Sequence, residues 1–182
     1  MEDIGVLYQL IIRLPVLKYG NFSLTTVHEY VELLVPDNER EEYSNIEHLI
    51  INSYHAIHQL STILSYMPQL RHLSCEYLSS IGSIRRRDLI VPSNLTHISM
   101  NYCLLSFDAF EAFIFKFCPQ LQLLRISIRF DDAYLNAERW ERLIYHMPHL
   151  RIFDFQHKKG SKTTMNTMHI MQQLPSLQHH FG

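Results

Sequence analysis

One short phrase recurs along this chain at intervals in the twenties, and that recurrence limits the fold more than any other feature. "RLPVLKYG" holds Pro15 and Leu17, "YMPQLRHLSC" holds Pro68 and Leu70, and "FCPQLQLLRISI" holds Pro119 and Leu121. "HMPHLRIFDF" holds Pro148 and Leu150, and "QLPSLQHH" holds Pro175 and Leu177. Two further copies replace the proline phrase by Ser-Asn: "SNIEHLIIN" at Ile46 and "SNLTHISMN" at Leu95. The phrases start at 17, 46, 70, 95, 121, 150 and 177, at successive steps of 29, 24, 25, 26, 29 and 27 residues. A self-similar period of this length signals a solenoid built from stacked supersecondary units.

Each copy follows the pattern L-x-x-L-x-L. Ile46, Leu49 and Ile51 fill it, as do Leu70, Leu73 and Cys75, and Leu95, Ile98 and Met100. Leu121, Leu124 and Ile126 continue the series, followed by Leu150, Phe153 and Phe155. Gly20 and His180 replace the second leucine in the terminal copies, a degeneracy expected where a stack ends. Between these strands the apolar period lengthens to that of a helix. Val27–Tyr30–Val31–Leu34 and Ile57–Leu60–Leu64–Met67 form two stripes. Phe110–Phe113–Ile114–Phe117 forms a third, with Ser106 as N-cap. Trp140–Leu143–Ile144–Met147 forms a fourth behind Asn136, and "TTMNTMHIMQQL" gives a weaker fifth. The interval 76–92 has no clean stripe and is expected to cross as an irregular or short-helix connection. The expectation is therefore one α/β leucine-rich-repeat domain over 1–182. It has about seven units, a parallel sheet on the concave face and helices on the convex face.

These phrases and the helices between them ("DAFEAFIFKFCPQL", "ERWERLIYHMPHLRIFDF") resemble the leucine-rich-repeat portion of F-box proteins across roughly residues 4–178. The resemblance implies a protein-interaction module of the substrate-receptor type used by ubiquitin ligases. An F-box often begins with a leucine-proline pair such as that in "IRLPVLKYG", but no F-box helices follow it here. The adaptor Skp1 is therefore implied as a partner only if an F-box precedes this chain. A free-standing repeat scaffold or inhibitor is the alternative, and a His-dependent hydrolase a remote one.

Composition excludes several other classes. A net charge of −2 gives no reason to expect nucleic acid or an anionic membrane as partner. Five glycines leave little material for a phosphate-cradling loop. Three cysteines without paired spacing point to a reducing compartment, cytoplasmic or nuclear. The apolar start "MEDIGVLYQLIIRLPVL" carries acidic residues where a signal peptide needs basic ones, so it reads as an amphipathic helix. No enzyme chemistry, cofactor or metal is expected.

Residues between the leucines alternate to the opposite face of the sheet. They are His48, Ile50 and Asn52; His72, Ser74 and Glu76; His97, Ser99 and Asn101; Leu123, Arg125 and Ser127; and Ile152, Asp154 and Gln156. Parallel neighbours lie about 4.8 Å apart, so His48, His72 and His97 should form a ladder. It reads either as a partner-binding stripe whose charge changes near neutrality, or as a solvated ladder multiplied by duplication. Arg85, Arg86 and Arg87 form the strongest basic run, a solvated loop or a site for an acidic or phosphorylated segment. The pairs His55/His58 and His146/His149 read as surface histidines. Cys75, Cys103 and Cys118 read as small buried apolar residues, and Trp140 as core.

Overall fold

The computed structural model describes residues 14–23, 43–79, 92–129, 131–158 and 165–170. Among the described residues, seven strands form one sheet in sequence order. They are β1 (Tyr19–Phe22), β2 (His48–Ala56), β3 (His72–Ser79), β4 (His97–Cys103), β5 (Leu123–Ile128), β6 (Ile152–Lys158) and β7 (Met165–Ile170). The first six run parallel, and β7 returns antiparallel beside β6. Among the described residues, three α-helices lie between strands: α1 (Ile57–Ser65), α2 (Phe107–Ile114) and α3 (Ala137–Tyr145).

The entry to each parallel strand after β1 is fixed by the same hydrogen bonding. The carbonyl of Lys18 accepts from the N–H groups of both Glu47 and His48. Glu47 does the same for Arg71 and His72, Arg71 for Thr96 and His97, Thr96 for Gln122 and Leu123, and Gln122 for Arg151 and Ile152. Side-chain amides reinforce the turns before three strands. Asn45 donates to the Pro15 carbonyl, Asn94 to Pro68 and Gln120 to Pro92. These contacts satisfy turn carbonyls that the sheet leaves without a ladder partner.

One face of the sheet is sealed by the helices. Leu49, Leu73, Ile98, Leu124 and Phe153 stand side by side in register, all buried. Ile51, Cys75, Met100, Ile126 and Phe155 form the next buried row. Gly20 occupies the leucine position in β1, where an added Cβ would already lie 3.4 Å from Ile46, Leu49 and Phe22. An added methyl would meet these side chains at ordinary contact distance, and a leucine would require them to shift.

The helices supply the second wall of this core. Ser106 caps α2 by accepting from Ala109 N–H, and Asn136 caps α3 by accepting from Arg139 N–H. Trp140 of α3 packs on Phe153 and Phe155 at ring-centroid distances of 4.9 and 5.4 Å. Its indole N–H donates to the Tyr134 carbonyl at 2.7 Å, so the ring is buried with its one polar group satisfied. Tyr134, fully buried, donates its hydroxyl to the Leu105 carbonyl.

Three expectations are corrected. The segment read as a weak fifth helical stripe contains β7, because Met165–Ile170 find ladder partners along Phe153–Lys158. The sheet is thus parallel only through β6. The interval 76–92 begins as strand, since β3 continues to Ser79 against Tyr54–Ala56 and Leu78 pairs with Cys103. The helix expected near the start, the stripe at 27–34, Arg85–Arg87 and the last phrase at Leu177 lie outside the described residues. No helix among the described residues is long and apolar enough to cross a membrane.

Candidate functional site

The face opposite the helices carries rows of side chains, each row running across the strands. The first is Tyr19, His48, His72, His97, Leu123 and Ile152, one residue from each parallel strand in direct register. Tyr19 and Ile152 at its ends are exposed, and the four residues between them are half-buried. The three imidazoles form a stack. His48 and His72 are 4.1 Å apart between ring centroids and inclined by 8°. His72 and His97 are also 4.1 Å apart, inclined by 31°. Strand spacing imposes this contact, because identical residues at identical register must lie one above another.

Hydrogen bonding fixes one end of the stack and leaves its centre open. Thr96 Oγ1 lies 2.8 Å from His97 Nδ1, which orients that ring. His72 Nδ1 is buried and has no hydrogen-bond partner among the described residues. Burial holds the His72 imidazolium below its ordinary range, and His97, His48 and Arg71 push it the same way. His97 is lowered by burial first and by His48 second. Two adjacent protons about 4 Å apart would repel by about 1 kcal/mol in water and about 4 kcal/mol at an effective dielectric of 20. Near neutrality, then, His72 and His97 are predominantly uncharged.

A line of charge borders this row at the strand entries. Lys18 pairs with Glu47 at 2.8 Å, and Arg71 approaches the same carboxylate at 3.7 Å. The Lys18 bond and charge hold the Glu47 carboxyl below its usual range, with Arg71 and His48 adding to the effect. Arg151 lies exposed further along the same edge.

The second row is Asn21, Ile50, Ser74, Ser99, Arg125 and Asp154. Arg125 donates Nε–H to Asp154 Oδ2 at 2.9 Å. In the third, Asn52 donates to Asn21 Oδ1 at 3.4 Å, and Glu76 and Gln156 are half-buried while Asn101 is exposed. Two members of the expected surface are in fact sealed: Ser127 is 2% exposed and Asp154 7%. Alternation assigns their face correctly, but β6 is not an edge. Asp154 pairs with His169 of β7 and carries the Arg125 ion pair, and Ser127 sits beside Gln156 of the same covered strand.

Beyond the third row, Tyr77 and Tyr102 stack at 5.1 Å and 11°. Lys158 Nζ lies 4.4 Å from the centroid of the Tyr102 ring and Arg129 Cζ 5.8 Å from it. Tyr102 has φ of 52° within the irregularity between Met100 and Cys103. A bulky residue in the left-handed region is uncommon and strained, so this ring is held in place by its neighbours. The sequence reading missed this cluster because a bulge breaks the count of two. It also missed Tyr19 and Asn21, which flank Gly20 at the degenerate leucine position of the first copy.

The remaining candidates fall where simple packing puts them. Cys75 and Cys103 are buried free thiols, pushed by burial up to about 12 and about 11, which makes them poor nucleophiles. His146 ends α3 at the surface against Phe115, and His149 is exposed. The side chains of His55, His58 and Cys118 lie outside those described. Among the described residues no group of three or more His, Cys, Asp or Glu is arranged to hold a metal ion. A stack of parallel rings presents its nitrogens side by side and converges them on no common point. Comparisons with models of protein families, with curated proteins and with solved structures returned no match.

Proposed function

We propose that this chain is a non-catalytic protein-interaction module, a leucine-rich-repeat solenoid of about seven units whose ladder face is the binding surface. The double acceptance repeated at the entries of β2 to β6 supports the repeat reading, as do the amide–proline carbonyl bonds before three strands. The observation that carries the functional reading is the continuous row from Tyr19 to Ile152. It brings aromatic, imidazole and aliphatic groups into one strip across six strands. Broad surfaces of this kind suit an extended or folded polypeptide better than a small molecule, which prefers a concave pocket.

The resemblance to F-box substrate receptors makes capture of a protein for ubiquitination the specific form of this proposal. Skp1 enters only through an F-box upstream of the residues given. Ser74→Arg with Ser99→Arg places two long side chains in the middle of the face, next to the ladder, without touching the sealed core. Partners recovered with the wild type should be lost from this variant and retained by Glu141→Arg with Arg142→Glu on the helices. Equal recovery by both variants overturns the assignment of the surface. A Skp1 pull-down on the longest available reading frame then separates a ligase receptor from a free-standing scaffold.

A further inference from the structure

The ladder is a stack of bases bordered by a carboxylate that is already engaged by cations. On β1 it meets the Tyr19 phenol, with Lys18 at the edge. On β2 it meets Ile50 and Glu47, on β3 Arg71 and Ser74, on β4 Thr96 and Ser99, and on β5 Leu123 with Arg125 one row further. Glu47 is the one carboxylate bordering the histidines among these residues, and Lys18 at 2.8 Å and Arg71 at 3.7 Å already engage it. Asp154, in the next row, is engaged by Arg125. Lys18 and Arg71 thus leave one unit of positive charge at the edge beside Glu47. The row can add more by protonation, in a chain whose overall charge is −2.

From this complementarity we infer that the ladder receives an acidic polypeptide segment, whose carboxylates lie along His48, His72 and His97 beside Arg71. The inference rests on the reading of this face as the binding surface. A carboxylate brought to the row lies against the accessible edges of the half-buried imidazoles. It also stabilises an imidazolium that burial and neighbouring rings otherwise disfavour. Binding therefore takes up protons, and linkage makes affinity rise as pH falls through the histidine range. Leu123 and Ile152 continue the strip as apolar contacts, so the complementary segment is acidic at one end and apolar at the other.

A fluorescent hexaglutamate peptide is the direct probe, titrated by anisotropy onto the full chain, with hexaglutamine as the uncharged control. Hexaglutamate should bind about tenfold more tightly near pH 5.5 than near pH 7.5, and hexaglutamine not at all. His48→Asn with His72→Asn and His97→Asn should abolish the pH dependence while circular dichroism shows the fold retained. Should that variant not fold, imidazole NMR of the wild type decides: hexaglutamate should move the His72 and His97 titrations upward. Binding that ignores pH, survives in a folded triple variant or leaves both titrations unmoved overturns the acidic-segment inference. If Ser74→Arg with Ser99→Arg spares capture of the natural partner, the surface reading itself falls. If it abolishes capture while hexaglutamate ignores the histidines, only the acidic partner falls.

Discussion

His72 and Leu73 are neighbours in the chain and stand on opposite faces of the same strand. Leu73 belongs to a row that reads Leu49, Leu73, Ile98, Leu124 and Phe153, buried from end to end. His72 belongs to a row that reads Tyr19, His48, His72, His97, Leu123 and Ile152, and changes character halfway across. The sealed row admits only apolar groups of fitting volume, because helices press on it from the other side. The ladder row carries no such constraint and can change its chemistry without changing the fold. On the proposed function, stability and recognition fall to alternate residues of the same strands.

The sharpest way to break this comparison is to damage each face in turn. Leu124→Ala removes a fully buried side chain and should cost about 2–5 kcal/mol in chemical denaturation. His97→Ala on the neighbouring strand should cost far less. Similar losses from the two would show that the ladder also holds the fold. Tyr134→Phe probes the helix wall: the Leu105 carbonyl loses its donor in a buried setting, for about 1–3 kcal/mol. Ser106→Ala should cost about 1 kcal/mol by removing the cap of α2.

The smallest expected effect concerns pH. His72 and His97 titrate below their ordinary range in the fold, so between about pH 7 and 5 the unfolded chain binds more protons. Stability is full above the ordinary histidine range and declines as pH falls through it. Thermal melts of the wild type should therefore drop across that window, and His72→Asn should flatten the decline. A wild-type melting temperature that rises on acidification would reverse the assignment of these rings as predominantly neutral.

The sheet and its core were legible because both rest on short-range order. A two-residue alternation beside a proline or Ser-Asn turn marks each of the six parallel strands, and identical spacing puts His48, His72 and His97 together. The capped helices behind Ser106 and Asn136 were legible for the same reason. What escaped depends on distant partners. Met165 and Met168 have helical spacing, yet their segment pairs with β6, because strand formation follows the neighbour more than the residue. Ser127 and Asp154 face as alternation requires, but both are buried, and Asp154 has an ion pair and a returning strand beside it. Tyr102 sits at a bulge, where the count of two fails and only tertiary packing fixes the ring.

On the proposed function, the partner lies on the ladder face and leaves the helices uncovered. Carbene footprinting of the chain with and without its partner tests it residue by residue. Protection should appear at Ser74, Ser99 and the three histidines, with labelling of Glu138, Glu141 and Arg142 unchanged. Protection of the helix residues with an unaltered ladder would contradict the account.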